Sequence, residues 1–423
     1  MLFALSGLVS CGGSKTSEMP WENDLGNSEN PNPPAESEVE VGQTLPAWSQ
    51  GTLDIHFINS GRGECAFFIL PDGTTLLVDA GEIVDLDGTV PQRPNANTRP
   101  TLVYANYIRH FMPEGHLSID WCAPSHFHID HIGSLAAATE TSPAGYRLSG
   151  LMALYDEVPF DHVLDMGYPN YGADTSIPAM NGELAADWQT FVTWAVANKG
   201  MKADRFQVGE EQITLQYARD NYPDFRIFNI VANGYAWILD SSTGKGTVVN
   251  TSADPGNPAS CGFHLSYGKF DYLACGDLTS APQNRVAYYY RDFIPRGGLE
   301  VFKAHHHLSS NSWGSQMQAC EFSPRVIVNH SFYEWQPDIP LLTSIVEGNF
   351  SGNSYFWVKD IFTTNVDPKT LEANTDLFQH LSGYNGHIVV RVVSDGDQFY
   401  VYMLDDSDFN YRIQSIHGPY NSK

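Results

Sequence analysis

The sequence His-Phe-His-Ile-Asp-His at residues 126–131 brings three imidazoles and one carboxylate into six positions. Neutral imidazole is the commonest nitrogen ligand of Zn²⁺ and similar ions. In an extended segment, residues i and i+2 point to the same side, so His126 and His128 can bind one ion. Asp130 and His131, displaced around the following bend, are placed for a second ion. A histidine-rich surface loop is the alternative, but the apolar strand before the motif and the Gly-Ser helix start after it favour a metal site.

Three further segments place polar side chains at the ends of apolar strands. Residues 53–81 form an opening hairpin that ends in Asp79. The segment 272–278, Tyr-Leu-Ala-Cys-Gly-Asp-Leu, ends in a carboxylate, Asp277, that has two oxygens free to bridge two cations; capping of the next turn is its alternative role. The segment 301–309, Val-Phe-Lys-Ala-His-His-His-Leu-Ser, ends a strand in three consecutive histidines.

With these motifs in this order, the sequence resembles the metallo-β-lactamase superfamily over roughly residues 50 to 335. It is especially similar to the hydrolase domain of competence DNA-uptake (ComEC-type) proteins and to secreted phosphorylcholine esterases. The resemblance implies an α+β fold, a four-layer αββα sandwich of two mixed β-sheets flanked by helices. Two positions depart from the pattern: Glu64 stands where the family has Asp, and Leu308 stands where Gly follows the paired histidines. The histidine that completes the first metal site in the family has no clear counterpart.

The resemblance also implies a cofactor and residue roles. It predicts two divalent metal ions, with zinc expected and manganese or iron as alternatives. Asp277 would bridge the two ions, and Asp130 would also orient the attacking water or take its proton. Asp79 and Lys303 would support the site. The metal ligands carried over from the motifs are His126, His128, Asp130, His131, Asp277 and His307.

The three consecutive histidines leave an ambiguity. Neighbouring residues of an extended segment point in opposite directions, so one of the three is expected to face the metals. Alignment with the family's Lys-x-x-His-His-Gly-Ser matches His306 and His307 to the paired histidines. His307 is the preferred ligand of the second ion, and His306 is then a donor to a phosphoryl oxygen or lies behind the ligands. The reverse order stays open.

Strand pairing narrows the search for the third ligand of the first site. The segment before Asp277 has the pattern of a hairpin that turns near Gly268, which places Asp277 opposite about residue 259. His264 would then lie ~13–16 Å from Asp277, at ~3.3 Å per residue, too far to share its ion. A single-metal enzyme is an alternative. The remaining candidates for the ligand are Asp254, Asn257 and a water molecule.

Composition sets limits on partners. A chain of 423 residues with 42% hydrophobic and 13% aromatic residues is long enough to form a large core. Its formal net charge of −26 opposes broad nucleic-acid binding. A small phosphoryl substrate or an envelope polymer is still compatible with this charge, because bound metal ions supply local positive charge.

The N-terminus has the pattern of an export signal. Residues 1–11 are short and apolar and end in a lipobox-like Leu-Val-Ser-Cys, which predicts lipid attachment at Cys11. Residues 12–48 are rich in Ser, Asn, Pro, Glu and Gly and are predicted to be a flexible linker, followed by one hydrolase domain at 49–423. The expected location is the bacterial cell envelope, with the lipid as the only membrane anchor. The other five cysteines are interpreted as small buried hydrophobes.

The apolar periodicity predicts the secondary structure. A closing hairpin, His387–Val393 and Gln398–Leu404, is expected to extend the second sheet. Strands are predicted at 52–60, 65–70, Thr75–Asp79, Phe270–Cys275, Leu299–Ala304 and Arg325–Asn329, and helices at Thr101–Phe111, Ser134–Thr141 and 183–199. An insert near 140–255 contains aromatic residues interpreted as core, with an aromatic-walled site for a cationic headgroup as the alternative: Tyr168, Tyr171, Trp188, Tyr217, Tyr222, Tyr235 and Trp237.

The sequence therefore predicts a metal-dependent hydrolase of the cell envelope. A phosphoester is the expected substrate, in a phosphodiesterase, nuclease-like or phosphorylcholine-esterase-like reaction. Hydrolysis of a lactone, amide or thioester by the same fold is an alternative, since fold does not determine substrate. A non-catalytic surface binding module is the alternative from a different class.

Overall fold

The computed structural model describes residues 39–172, 176–240, 243, 245–251, 256–279, 298–311, 323–348 and 358–423. The helices in these ranges are α1 (Pro100–Phe111), α2 (Ile129–Ile132), α3 (Gly150–Glu157), α4 (Ser176–Lys199), α5 (Ile339–Val346), α6 (Pro368–Ala373) and α7 (Thr375–Phe378). The strands are β1 (Leu53–Phe57), β2 (Ala66–Ile69), β3 (Thr75–Val78), β4 (Ile119–Cys122), β5 (Phe160–Asp165), β6 (Lys202–Arg205), β7 (Phe225–Ala232), β8 (Tyr235–Asp240), β9 (Lys245–Asn250), β10 (Gly262–Tyr267), β11 (Phe270–Ala274), β12 (Val301–Lys303), β13 (Val326–Asn329), β14 (Asp360–Thr363), β15 (Gly383–Tyr384), β16 (His387–Val393), β17 (Gln398–Leu404) and β18 (Ile413–Asn421).

The strands of the described ranges form two nine-stranded mixed sheets. The first sheet has the order β18-β17-β16-β1-β2-β3-β4-β5-β6, and the second has the order β15-β14-β13-β12-β11-β10-β7-β8-β9. Strands β3 to β6 pair in parallel, as do β11 to β15, and the other pairs are antiparallel. Each sheet therefore combines an antiparallel part with a parallel part.

Alternating side chains of the second sheet join different cores. Val301 and Val326 belong to the larger apolar cluster, which also contains the first sheet and the buried sides of α1, α3 and α4. The next residues, Phe302 and Ile327, belong to a second cluster with Leu342 of α5. Successive residues of a strand point to opposite faces, so the second sheet lies between two apolar layers. The four-layer αββα arrangement predicted from the sequence is confirmed.

The parallel strands determine where the polar motifs meet. Asp79 follows β3, the histidine motif follows β4, Asp277 follows β11, and the three consecutive histidines follow β12. In sheets of this kind, ligands bind at the carboxyl ends of the parallel strands. The fold thus brings the four motifs to one edge, two from each sheet.

The predicted hairpin before Asp277 is confirmed. Tyr267 pairs with Phe270 and Phe263 with Ala274, and this register places residue 260 opposite Asp277, one residue from the predicted position. His264 lies further along the hairpin, where its Nε2 is 2.6 Å from Asp271 Oδ1. His264 is therefore a neighbour of Asp271 and lies away from Asp277.

The helix predicted at Ser134–Thr141 is wrong. A single helical turn, α2, instead occupies the second half of the histidine motif and ends at Gly133, whose φ is 108°. A Cβ on Gly133 would lie 2.6 Å from the backbone nitrogen of Gly150, so the two backbones are in contact. This contact ends the helix before Ser134.

The closing hairpin also differs from its prediction. Strands β16 and β17 have the predicted bounds, but β16 pairs with β1 and extends the first sheet, with Leu53 opposite Val392. A buried ion pair supports this position, because Arg391 Nη2 lies 2.6 Å from Asp54 Oδ2. Apolar alternation indicates a strand but does not identify its partner, which accounts for the error.

The packed domain begins earlier than predicted. Leu45 is buried, and Gly42 donates a backbone hydrogen bond to Ile413, so residues 39–48 attach to β18 instead of belonging to a flexible linker. Cys11, the rest of the predicted linker, Asp254 and Cys320 lie outside the described residues. The four remaining cysteines are buried free thiols, as predicted. In the described part of the chain, each helix is too short or too polar to cross a bilayer.

Candidate metal centre

Asp79, the residue that follows β3, fixes the position of the histidine motif. This residue has a φ of 62°, and its carboxylate accepts hydrogen bonds from Ser125 N (2.7 Å) and Ser125 Oγ (2.7 Å). Its Oδ2 also accepts from His131 Nδ1 at 2.8 Å. Burial raises the pKa of Asp79, an effect that His131 opposes. Because Nδ1 of His131 is occupied in this way, its Nε2 faces the centre of the site.

Asp277 lies among the histidines. Gly276, at φ 50°, turns the chain after β11, and Asp277 N donates to Ser260 Oγ at 3.1 Å. Asp277 Oδ2 lies 3.1 Å from His131 Nε2 and 3.1 Å from His307 Nε2. Burial would raise the pKa of Asp277, but the two imidazoles hold it well below its usual value. This carboxylate is the one most closely surrounded by potential ligands.

His306 and His307 reach the site through an unusual backbone. Both residues and Leu308 have left-handed φ values of 48°, 56° and 52°. Left-handed backbone costs an L-residue roughly 1–2 kcal/mol, and Leu308 bears this cost where a Gly would not. The segment is therefore not extended as predicted, and both rings approach Asp277, at 4.0 Å for His306 Nε2. His305 is buried beside Phe302 instead.

His307 and His306 differ in exposure and in partners. His307 is buried against Phe332, with ring centroids 4.5 Å apart. His306 is partly exposed, with Nδ1 2.7 Å from Asn311 Oδ1 and Nε2 2.9 Å from Asn257 Nδ2. This difference favours His307 as the ligand and His306 as a residue that can contact substrate.

Asp130 borders the same centre. Its Oδ2 lies 3.7 Å from His131 Nε2 and 3.4 Å from His307 Nε2. Burial acts to raise its pKa, but His131 and His307 lower it below the usual value of a carboxyl, so the group is ionised. Asp130 is also partly exposed, unlike Asp277. It is thus an anionic group at the open side of the cluster.

The donor set fits a divalent metal ion. Glu64, His131, Asp277 and His307 are all buried, and one potential ligand atom of each lies within 4.8 Å of the others. Among the described residues, no hydrogen-bond partner meets Nε2 of His131, Nε2 of His307 or Oδ1 of Asp277. Buried polar atoms are normally satisfied, and imidazole and carboxylate donors suit Zn²⁺. A bound cation would satisfy all of these atoms together.

The first predicted site is less complete. His126 and His128 are neighbours, with ring centroids 4.5 Å apart, and His126 Nε2 has no hydrogen-bond partner in the described part of the chain. A Cβ on Gly256 would lie 3.8 Å from His128 Nε2, so the segment before Asn257 passes beside this histidine. The Oδ1 atom of Asn257 is buried without a described partner. These positions are compatible with Asn257 as third ligand and leave Asp254 and water open.

Lys303, predicted to support the site, has a partner that the sequence did not indicate. Lys303 Nζ lies 2.6 Å from Glu64 Oε2, and both side chains are buried. Burial acts to lower the pKa of Lys303, but Glu64 raises it above its usual value. The Glu64 motif and the Lys303 motif were both recognised, but only the packing of one sheet on the other brings them together.

The aromatic residues of the insert have separate roles. Trp188 and Tyr171 pack under Phe127 of the histidine motif and donate to Asp165 Oδ2 at 2.7 and 2.5 Å. Tyr217 and Tyr235, in contrast, are about half exposed. The prediction of core packing is confirmed for Trp188 and Tyr171.

Comparisons with known proteins give little further information. No protein-family model matches the sequence, and the comparison with curated proteins found no match. One similar solved structure is described as the hydrolase AbOPH in the beta lactamase superfamily, with 10% sequence identity, 56% of this chain and 75% of that chain covered, and a TM-score of 0.26. A likeness this low supports no argument about this protein. The function proposed below therefore depends on the strand order and the metal centre.

Proposed function

We propose that the chain is a metal-dependent hydrolase of the metallo-β-lactamase type that cleaves a small phosphoester. The observation that carries this proposal is the buried cluster of His131, Asp277 and His307, whose inward atoms have no described hydrogen-bond partner. A bound divalent cation supplies a Lewis acid that binds an anionic oxygen and lowers the pKa of water toward neutrality.

The residues around the cluster support hydrolysis in different ways. Asp79 fixes the orientation of His131, and Asp277 holds His131 and His307 at one point. Asp130 is partly exposed, so its carboxylate can orient a water molecule at the open side or accept its proton. His306 donates from Nδ1 to Asn311, so its Nε2 can donate to a substrate oxygen only when the ring is protonated.

The substrate class is inferred from the motifs and the charge. The resemblance to ComEC-type and phosphorylcholine-esterase domains favours a phosphoester, and the net charge of −26 favours a small substrate over a polyanion. The cell envelope, through a lipid on Cys11, is the proposed location. Lactones, amides and thioesters remain the alternative substrates, and a non-catalytic binding module is the alternative function.

The test compares two Asp→Asn substitutions in the same hairpin. Asp277→Asn should lower the zinc content and reduce hydrolysis of bis(4-nitrophenyl) phosphate by at least about 100-fold, because the carboxylate at the centre is lost. Asp271→Asn, an equally buried acid paired with His264, is the matched control and should retain zinc and turnover. Metal content by elemental analysis and initial rates on the zinc- and manganese-loaded proteins provide the readouts.

Two results would contradict the proposal. Full turnover in Asp277→Asn would remove this residue from the mechanism. A wild-type protein that binds no zinc or manganese at neutral pH would favour the binding module. A panel of phosphomonoesters, phosphodiesters, lactones and β-lactams would then separate the remaining hydrolase classes.

A further inference from the structure

The ion pair between Glu64 and Lys303 joins the two sheets directly behind the metal centre. Glu64 precedes β2 of the first sheet, and Lys303 ends β12 of the second. Their charged atoms are 2.6 Å apart, and the side chains are only 3% and 2% exposed. Burial of two charges is costly, so such a pair often contributes little net stability. Its position invites an additional role.

Each member of the pair also contacts a segment that carries a candidate ligand. Glu64 N donates to the carbonyl of Asp130 at 2.8 Å. Lys303 Nζ lies 3.4 Å from the carbonyl of Gly276, at the turn that presents Asp277. Glu64 Oε2 lies 3.5 Å from Nδ1 of His307, a buried atom that has no described hydrogen-bond partner. The pair thus contacts the backbone that carries Asp130 and Asp277 and lies beside the ring of His307.

The orientation of His307 distinguishes Glu64 from a ligand. His307 Nε2 faces Asp277 and Asp130, whereas Nδ1 faces Glu64. The two ring nitrogens point away from each other, so a cation bound at Nε2 lies on the far side of the ring from Glu64. His330 Nδ1, at 3.8 Å, is the next neighbour of this carboxylate.

We propose that Glu64, held in place by Lys303, is a positioning residue for His307. Its carboxylate accepts the Nδ1 proton of His307, which leaves the lone pair on Nε2 directed at the metal. Lys303 keeps Glu64 ionised and holds its carboxylate beside His307. Through its contact with the carbonyl of Gly276, Lys303 also connects this pair to the turn before Asp277. A ligating histidine generally donates its other ring nitrogen to such a partner. The inference rests on the metal centre of the proposed function.

A double substitution separates positioning from simple ion pairing. Glu64→Gln together with Lys303→Met removes both buried charges and leaves none unpaired, so the fold should be retained. Positioning predicts that this double variant binds zinc about 10- to 100-fold more weakly than wild type. The matched control is Asp54→Asn with Arg391→Met, which removes a buried ion pair between β1 and β16. The control should bind zinc as wild type does.

Zinc affinity is measured by competition with a chromophoric chelator, and the fold by circular dichroism. A ¹⁵N spectrum of the histidine side chains of the zinc-loaded wild type should show His307 protonated at Nδ1. If the double variant does not fold, Glu64→Asp tests the proposal instead. This substitution keeps the charge but moves the carboxylate away from His307, so it should also weaken zinc binding.

The outcomes are distinct. Wild-type affinity in the folded double variant or in Glu64→Asp would overturn the positioning role. Complete loss of one ion from the double variant, with the other unchanged, would show that Glu64 is itself a ligand and overturn it too. Weaker zinc binding in a protein that hydrolyses no ester would contradict the proposed hydrolase but support this inference.

Discussion

Gly81 has no room for a side chain. A Cβ at this position would lie 1.8 Å from the carbonyl oxygen of Asp130, so the backbones of the two segments are in direct contact. We predict that Gly81→Ala destabilises the protein by about 1–3 kcal/mol, as overpacking commonly does, and weakens metal binding because the Asp130 segment must move. Chemical denaturation and zinc titration would measure both effects.

Gly172→Ala is the matched control. The nearest atom to a Cβ there is Asn170 Oδ1 at 3.8 Å, and the backbone is not left-handed. Its stability and metal affinity should stay at the wild-type level. Equal behaviour of the two variants would show that the segments carrying Gly81 and Asp130 can separate without cost.

The protonation of His307 should make the metal-free protein sensitive to alkaline pH. Burial lowers its pKa, but the nearby carboxylates of Asp277 and Asp130 outweigh this effect and raise it to about 9. A pKa raised above the unfolded value of about 6.5 gives stability that is complete below pH 6.5 and lost as pH rises through 9. The unfolding temperature of the chelator-treated protein should therefore fall between pH 7.5 and 9.5.

Between pH 7.5 and 9.5, the unfolding temperature should fall less steeply in a variant without this imidazole. His307→Gln removes the titration, although His131, whose pKa is also raised, continues to contribute. An equally steep fall in His307→Gln would assign the effect to other residues. Loading with zinc should reverse the trend, because the metal binds the deprotonated imidazole.

At the residue scale, the sequence indicated the candidate ligands and two supporting residues, Asp79 and Lys303, but not the contact between Lys303 and Glu64. The spacing of the motif at 126–131 indicated metal binding because few other sites need so many imidazoles together. Glu64 and Lys303 are far apart in sequence, and only the docking of the sheets makes them neighbours. The left-handed backbone at His306 was equally hidden, since the segment 305–308 contains no Gly that would have indicated it.

At the scale of elements, a buried ion pair joins the closing hairpin to β1. Arg391 Nε and Nη2 donate to the two carboxylate oxygens of Asp54 at 2.8 and 2.6 Å. Arg391→Met should reduce the free energy of unfolding by about 3–5 kcal/mol, because Asp54 is left buried without its cation. Urea denaturation of the metal-free protein would measure the loss.

A second substitution checks this explanation. Adding Asp54→Asn to Arg391→Met removes the unpaired charge and should recover most of the stability. No recovery would mean that the arginine contributes through packing and through its hydrogen bond to the carbonyl of Pro46 instead.

Element positions were predicted better than element partners. The bounds of β16 and β17 followed from apolar alternation, but nothing in that pattern distinguishes the edge of one sheet from the edge of the other. The helix expected at Ser134 failed for a related reason. Helix α2 ends at Gly133 because the backbone there contacts Gly150, a residue outside the segment from which the helix was predicted.

At the scale of the whole molecule, the charge of −26 should oppose folding through self-repulsion. Sodium chloride screens charges beyond about 10 Å at 0.1 M. We expect the unfolding temperature of the metal-free protein to rise by a few degrees between 0.05 and 0.5 M salt. Sucrose of equal osmolality is the control, and a flat response to salt would show that the acidic residues are spread widely enough not to interact.

The order of the motifs predicted the layers of the molecule. Two sheets and flanking helices followed from the resemblance, whereas the order of strands within each sheet required the structure. The same holds for the third ligand of the first site, where hairpin register excluded His264 but could not choose among Asp254, Asn257 and water.

The cluster draws its side chains from both sheets: His131 from the first, Asp277 and His307 from the second. Neither half alone therefore offers a complete set of donors to an ion. During refolding, a cation would reach its full coordination only after the halves have docked, so little of its binding energy would be available to speed docking. It would instead slow the unfolding of the docked protein, so the native state would last longer although folding would take the same time.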